Sequence, residues 1–303
     1  MASYVALGIF TGLIYSMVAL GYTLVYGVLR LINFAHSEVL MTGGFAGYFF
    51  LHATIPNNTA STPMRVVILI GAIAASGTAA AIIAIGIERF AYRPLRRRNA
   101  PKLTYLISAI GASYFLLNLA GKLFGHTPSA TPQVITEGFQ LKILGAEITL
   151  FDLVLLAVTA VLFFTVDTLV SRTKIGRSIR AVAQDAETAS LMGVNVNSTI
   201  AATFAIGGFM GGVAGLFIAM SSNVDYNMGF TPALLAFTAA VLGGIGNIRG
   251  AMAGGVVLGI FMYVPIYWIH QPFYEPVIGF TTLVLVLLFR PTGLLGESLG
   301  RGA

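Results

Sequence analysis

Several groups common in soluble domains are missing or scarce in this 303-residue sequence. It has no cysteine, which excludes a disulfide scaffold and any metal site built on thiolates. Only 9% of its residues are charged, far below the roughly 25% typical of a soluble domain. Because 57% of the residues are hydrophobic, we predict a membrane protein that crosses the bilayer many times.

Catalytic motifs are also missing. The four histidines lie in separate segments with no i, i+4 pair, so we expect no metal site. No carboxylate pair stands at helical spacing within an apolar run, and no nucleophile–base pair is evident, so we expect no catalytic residue. The phosphate-binding pattern Gly-x-x-x-x-Gly-Lys-Ser/Thr is absent as well. We therefore expect no cofactor in this chain, and any ATP must be handled by a partner.

The apolar runs predict one all-α polytopic domain over residues 1–303, with about eight to ten transmembrane helices. Val39 to His52 is short and rich in glycine, which suggests a broken helix, and Thr231 to Asn247 fits either a short span or a re-entrant half-helix. The longer runs are Ala2 to Leu29, Val66 to Ile87, Leu103 to Gly121, Leu150 to Val170, Ser198 to Val224, Gly250 to Ile269 and Pro276 to Phe289.

The basic residues predict an orientation. Arginine and lysine cluster between Glu88 and Lys102, and the positive-inside rule assigns such a segment to the cytoplasm. The later crossings then put the N-terminus outside and the C-terminus inside, leaving only Arg65, Lys122 and Lys142 of the 17 basic residues outside. Residues 122–148 become an external loop, and the alternation from Phe139 to Ile143 suggests a hairpin in it.

A polar island from Ser171 to Gly193 separates two long apolar runs, within a cytoplasmic region of about 171–197. Asp185 suits the N-cap of a short helix over Ala186 to Met192, and Gly193 suits the left-handed residue that closes it. One face would carry the apolar residues Ile179, Val182, Ala183 and Ala186, while Arg177, Arg180, Gln184 and Glu187 point elsewhere. Two interpretations fit equally well, a docking surface for another protein or a solvated connecting loop.

Glycines and isolated polar residues supply the remaining candidates. Gly207, Gly211 and Gly215 repeat every four residues, which lets a neighbouring helix pack against bare backbone. Asn33, His36 and Glu38 could serve a pathway or gate. We favour placing these three at the cytoplasmic interface, solvated or capping the second segment. Asn223, within the polar stretch from Ser221 to Asn227, and Asn247 are further pathway candidates, although an external loop and a helix cap are the simpler assignments.

Taken in order, seven motifs over nearly the whole chain resemble the permeases of branched-chain amino acid ABC importers, of the LivH type. Ser37 departs from that family, which has glycine at this position. The motifs are Gly21 to Gly27, Ile32 to Glu38, Tyr92 to Arg96, Gly176 to Ala181, Ala189 to Asn195, Phe237 to Gly246 and Arg290 to Gly293.

The resemblance implies a role for the island. Glu187, Ala189 and Gly193 match the coupling motif Glu-x-Ala-x-x-x-Gly, which in the family seats in a groove of the ATP-binding subunit. It further implies two ATP-binding cassette subunits that carry ATP and Mg²⁺, a second homologous permease or a second copy of this chain, and an extracytoplasmic substrate-binding protein. The expected location is the bacterial inner membrane, with no nucleic acid partner.

Two alternatives stay open from the sequence. Permeases for urea or short amides look similar, so the substrate class depends on the resemblance alone. An ion-coupled secondary transporter is a different class, but it would keep ionisable residues deep in its spans, whereas the acidic residues here lie mostly at span ends.

Overall fold

A computed structural model describes residues 1–55, 62–135, 140–143, 145–290 and 293–295. Part of the predicted polar loop between Ile55 and Pro63 therefore lies outside the described residues. So do Phe139 of the predicted hairpin and Pro291 and Thr292 of the last motif.

The first half of the chain forms five helices and one π-helical turn. Arg30 ends α1 because its backbone is left-handed, with φ of 52°. The second predicted helix is continuous, so the expectation of a break is wrong. The elements are α1 (Ala2–Leu29), α2 (His36–Thr54), α3 (Thr62–Ile87), a π-helical turn (Glu88–Tyr92), α4 (Arg93–Arg97) and α5 (Lys102–Phe124).

The second half contains seven helices and a short 3-10 turn. Pro265 lies inside α11. The elements are α6 (Leu150–Arg172), α7 (Lys174–Gln184), α8 (Ala186–Leu191), α9 (Val196–Ser221), α10 (Phe230–Gly243), α11 (Ile248–Ile269), the 3-10 turn (Pro272–Tyr274) and α12 (Glu275–Phe289).

Strands occur only between helices in the described part of the chain. β2 (Gln140–Ile143) and β3 (Ala146–Thr149) form an antiparallel hairpin with Gln140 opposite Thr149, which confirms the predicted hairpin. β1 (Ser129–Ala130) pairs with β4 (Asn223–Val224). The Ser3 hydroxyl donates to the Gly145 carbonyl, so the start of α1 lies beside the hairpin.

The long helices confirm a multi-pass membrane protein. Seven helical segments in the described residues are long and apolar enough to cross a bilayer. The 19-residue α2 and the 14-residue α10 pack among them, so the bundle agrees with eight to ten spans. The seven are Ala2–Leu29, Pro63–Arg97, Lys102–Phe124, Leu150–Arg172, Val196–Ser221, Ile248–Ile269 and Pro272–Phe289.

Glycines hold the central helices at backbone contact. A Cβ atom at Gly43 of α2 would collide with the backbone of Gly212 in α9, and one at Gly8 of α1 would lie 2.8 Å from the carbonyl oxygen of Gly259 in α11. Glycine in α2 therefore permits close packing instead of breaking the helix.

Two helices begin inside the bundle instead of at its ends. The first turn of α2 lies beside Gly21 and Gly211, which are in the interiors of α1 and α9. Gly229, which precedes α10, packs against the Ser37 carbonyl and Met41. At 1.5 Å per residue α10 is about 21 Å long, less than the roughly 30 Å of hydrocarbon. This length fits both alternatives for the segment, a short span and a re-entrant half-helix, and each stays a prediction.

Candidate functional site

The polar island forms two helices, α7 and α8, at one end of the bundle. We call this end of the bundle the island face. Thr173 caps α7 by accepting from the Gly176 N–H at 3.1 Å. Asp185 then ends α7 and caps α8, accepting from the N–H groups of Glu187 and Thr188 at 2.9 and 3.0 Å. The predicted Asp185 cap is confirmed.

The closing turn of α8 also matches the prediction. Gly193 has φ of +84°, a conformation that favours glycine. The Val194 N–H donates to the Ala189 carbonyl at 3.0 Å, which satisfies a carbonyl of the last turn.

The apolar face of the island is shorter than the sequence suggested. Ile179 and Val182 are buried against the bundle, and Arg177 and Glu187 are exposed, as predicted. Ala186 is also exposed, so the predicted continuation of the apolar face into it is wrong. The reason is that Asp185 has extended backbone, which gives α8 a direction of its own.

The outer surface of the island carries two apolar side chains. Leu191 and Met192 are 84% and 81% exposed, whereas Ala189 is buried at 5%. The buried Ala189 and the left-handed Gly193 therefore fix the shape of a short segment whose neighbours Leu191 and Met192 project outward.

The island is attached to the long helices by backbone carbonyls. An Arg30 guanidinium nitrogen lies 3.4 Å from the Ala183 carbonyl, which joins the end of α1 to α7. Arg180 donates to the Val170 carbonyl of α6. Arg180 is therefore engaged with the bundle, and its predicted part in coupling stays a prediction.

Backbone donors stabilise the charged form of Asp185. The N–H groups of Thr188 and Glu187 hold the pKa of this carboxyl below its ordinary value. The residue is exposed, so the cap is a local feature of α8 in contact with solvent.

The second polar group, Asn33, His36 and Glu38, is buried. The three residues are 2%, 2% and 3% exposed, so the favoured expectation of a solvated interfacial position is wrong. No side chain caps α2, so the expected capping of the second segment is also wrong. The Oδ1 of Asn33 instead accepts from the Ala35 N–H just before α2 and from the Tyr92 hydroxyl, each at 3.1 Å. The chain after Arg30 turns back into the bundle, which no local hydropathy pattern reveals.

Glycines make the space for His36. A Cβ at Gly21 would lie 2.7 Å from Nε2 of His36, and one at Gly211 would lie 3.1 Å from the same atom. The ring therefore sits between the backbones of α1 and α9, with its centroid 4.6 Å from that of Tyr22. Nε2 has no hydrogen-bond partner in the described structure.

The predicted packing glycines contact two different helices. A Cβ at Gly207 would lie 3.0 Å from the Gly21 carbonyl of α1, whereas one at Gly215 would collide with the Leu40 carbonyl of α2. Gly211 faces the imidazole of His36. The repeat therefore seats α1 and α2 against α9.

Glu38 borders a cavity of about 400 Å³. Its Oε1 accepts from the hydroxyls of Ser37 and Ser113, both at 2.9 Å. The polar or phenolic residues around the cavity are Tyr22, Ser37, Glu38, Ser113, Tyr114 and Asn227. The apolar ones are Phe34, Ile110, Leu117, Phe230, Ala233 and Leu234.

The cavity opens on the flank of the bundle. Tyr114 and Phe230 are 64% and 54% exposed, so its rim lies on the outer surface of α5 and α10. At 1.5 Å per residue, Tyr22 lies roughly 12 Å along α1 from Arg30, which sets the cavity well inside the span of α1.

The other two asparagine candidates lie elsewhere. Asn247 caps α11 by accepting from the Gly250 N–H at 3.1 Å, and its amide nitrogen donates to the Leu295 carbonyl at 2.9 Å. Asn223 is exposed and opposite Ala130 in the β1–β4 pair. Neither lines the cavity, whereas Asn227 from the same polar stretch does.

Sequence reasoning missed two parts of this region. Ser113 is one of several hydroxyl residues in an apolar run, and only its contact with Glu38 in the fold distinguishes it from the others. Glu88 is fully buried and paired with Arg93 at 3.3 Å and Arg96 at 2.8 Å. Arg96 also donates to Asn197, linking the π-helical turn to the start of α9 next to the island.

Known proteins resemble the chain over nearly its whole length. The family model described as the branched-chain amino acid transport system / permease component matches residues 4–288. The high-affinity branched-chain amino acid transport system permease protein BraD of Pseudomonas aeruginosa is 38% identical over 294 residues, covering 96% of this chain and 94% of that protein.

Two further relatives carry the LivH name. The high-affinity branched-chain amino acid transport system permease protein LivH of Escherichia coli K12 is 38% identical over 295 residues, with the same coverage. A probable branched-chain amino acid transport permease protein LivH of Methanocaldococcus jannaschii is 26% identical over 291 residues, covering 92% of this chain and 88% of that protein.

Proposed function

Because the chain belongs to the family of branched-chain amino acid transport system permease components, we propose that it is the membrane-spanning permease of an ATP-driven importer of branched-chain or other hydrophobic amino acids. The observation that carries the proposal is 38% identity over 96% of the chain to permeases named for that transport. The chain itself is not an enzyme. ATP and Mg²⁺ are bound and hydrolysed on two separate ATP-binding cassette subunits.

The island is the contact with the ATP-binding subunits. Leu191 and Met192 are the apolar surface that enters their groove, and desolvation of these two side chains favours docking. The caps at Asp185 and Gly193 keep α8 rigid, and Arg30 and Arg180 attach the island to α1 and α6. A movement of the ATP-binding subunits therefore reaches the long helices, because the rigid island does not absorb the displacement as a flexible loop would.

The flank that holds the cavity faces a second permease subunit, either a homologous chain or a second copy of this one. A carboxylate beside an opening to lipid would be costly, whereas a protein-lined pathway keeps Glu38 in contact with water or substrate. The exposed Tyr114 and Phe230 at the rim are suited to such a subunit contact.

The island face lies in the cytoplasm and the N-terminus outside, in the bacterial inner membrane. The distribution of basic residues supports this orientation. So does the position of the C-terminal segment, because the Leu294 N–H donates to the Leu242 carbonyl at 2.7 Å, near the end of α10. An extracytoplasmic binding protein then delivers substrate on the side of the β2–β3 hairpin.

Co-purification tests the assembly. An affinity tag on this chain, co-expressed with the neighbouring transport genes, should recover a complex with two ATP-binding subunits and two permease subunits. Receptor binding assays with leucine, valine, urea and acetamide separate the amino acid assignment from the amide one. A chain that purifies alone and transports leucine without ATP would overturn the proposal.

A further inference from the structure

We infer that the cavity beside Glu38 is a binding site for a zwitterionic amino acid, in which the Glu38 carboxylate binds the ammonium group and the side-chain amide of Asn227 binds the carboxylate. The inference rests on the proposed function, because it takes the substrate class from there. It adds a site within this chain and a role for each end of the ligand.

The carboxylate of Glu38 is positioned to bind a cation. The residue is 3% exposed, and its Oε1 accepts from the Ser113 hydroxyl and from the Ser37 hydroxyl, whose single proton is also within reach of the Phe34 carbonyl. No described side chain donates to Oε2, and none of the described residues that line the cavity is an arginine, lysine or histidine. A buried carboxylate without a cationic partner is costly, and an ammonium group supplies both charge and hydrogen bonds.

Asn227, in the turn before α10, offers the complementary site for an anion. Its side-chain amide lines the same cavity as Glu38, and an amide N–H₂ group donates hydrogen bonds to a carboxylate. The backbone of α10 contributes little, because the Phe230 N–H donates to the Asn227 carbonyl at 3.2 Å and Pro232 has no N–H. Both charged ends of one ligand therefore have side-chain partners in the cavity, Glu38 for the ammonium group and Asn227 for the carboxylate.

The remaining wall suits a branched aliphatic side chain. Ile110, Leu117, Ala233 and Leu234 are apolar and lack groups that need hydrogen bonds. The volume of about 400 Å³ falls within the roughly 300–1,000 Å³ of small-molecule pockets. Urea has neither a charged pair nor an apolar part, so it would leave most of these contacts unused.

Cysteine labelling in the assembled complex tests the site, because this chain has no native cysteine. Leu234→Cys in an otherwise unchanged complex should react with a methanethiosulfonate reagent, and L-leucine should slow that reaction. Adding Glu38→Gln should raise the half-protecting concentration of leucine about tenfold to a hundredfold. The same substitution should change the half-protecting concentration of 4-methylpentanoate, which lacks the ammonium group, by no more than about threefold.

A matched control uses another carboxylate in the bundle. Glu275 accepts from the Tyr15 and Tyr263 hydroxyls at 3.1 and 3.0 Å and does not line the cavity. Glu275→Gln should leave leucine protection unchanged. If Glu38→Gln prevents assembly, Ser113→Ala removes one of its two donors and should raise the half-protecting leucine concentration about threefold or more.

The outcomes are distinct. The inference is overturned if Glu38→Gln leaves leucine protection unchanged. If the Glu38→Gln complex does not assemble, unchanged leucine protection in Ser113→Ala overturns it. So does an absence of protection in a complex that imports leucine. A complex that imports no branched-chain amino acid overturns the proposed function instead.

Discussion

Replacing Gly21 with alanine tests the idea that His36 is held between bare backbones. The new Cβ would lie 2.7 Å from the Gly207 carbonyl oxygen and 2.7 Å from Nε2 of His36. Non-bonded heavy atoms normally stay about 3.5 Å or more apart, so α1, α9 or the imidazole must move by roughly 0.8 Å. Overpacking of this kind costs about 1–3 kcal/mol.

Gly27→Ala in the same helix is the matched control. No atom lies within 4 Å of a Cβ at Gly27, so this variant has only the gain in helix propensity, about 0.5–1 kcal/mol. Both variants share that gain, and the difference between their free energies of unfolding isolates the steric cost of about 1–3 kcal/mol. Gly211→Ala, with its Cβ 3.1 Å from His36, should fall between them.

Reversible unfolding in mixed micelles, followed by tryptophan fluorescence and circular dichroism, measures these differences. The expected order of stability is Gly27→Ala, then Gly211→Ala, then Gly21→Ala. A difference below about 0.5 kcal/mol between the first and last would refute the close packing around His36.

The remaining predictions concern coupling, the α8 cap and the buried ion pairs. Glu187→Arg combined with Gly193→Pro should leave the chain inserted but abolish substrate-stimulated ATP hydrolysis in the complex, and normal stimulation would exclude the coupling assignment. Because the pKa of Asp185 is lowered in the folded state, its cap is complete above the ordinary aspartate pKa and is lost as the pH falls through the lowered value. The amide proton shifts of Thr188 and Glu187 should therefore titrate below the midpoint of a peptide aspartate, and a higher midpoint would contradict the cap. Glu88→Gln leaves Arg93 and Arg96 without their buried carboxylate and should lower the free energy of unfolding by about 3 kcal/mol. The exposed pair of Lys142 and Glu147 gives the control, since Glu147→Gln should cause no measurable change.

Long uncharged runs made most of the membrane helices predictable. The limits of α1 match the predicted run from Ala2 to Leu29, and α6 extends the predicted Leu150 to Val170 by only two residues, to Arg172. A charge is costly in hydrocarbon, so its position marks the end of a span in the sequence itself. The two ends of α8 were equally predictable, because Asp185 and Gly193 act on residues next to them in the sequence.

Features that depend on residues distant in the sequence could not be predicted from local patterns. The burial of Asn33, His36 and Glu38 follows from the return of the chain after Arg30, which is set by glycines in α1 and α9 far along the sequence. The cavity likewise assembles α1, α2, α5 and α10. A serine such as Ser113 looks neutral in its own segment, and only the fold gives it a carboxylate to bind.

ATP-driven uptake of radiolabelled leucine tests the central claim most directly. Proteoliposomes would contain this chain, its permease partner and the ATP-binding subunits, with ATP inside and the leucine-loaded binding protein outside. The account predicts leucine accumulation that requires ATP and the binding protein and stops with a hydrolysis-deficient ATP-binding subunit. Equal leucine uptake without ATP, or by this chain alone, would contradict it.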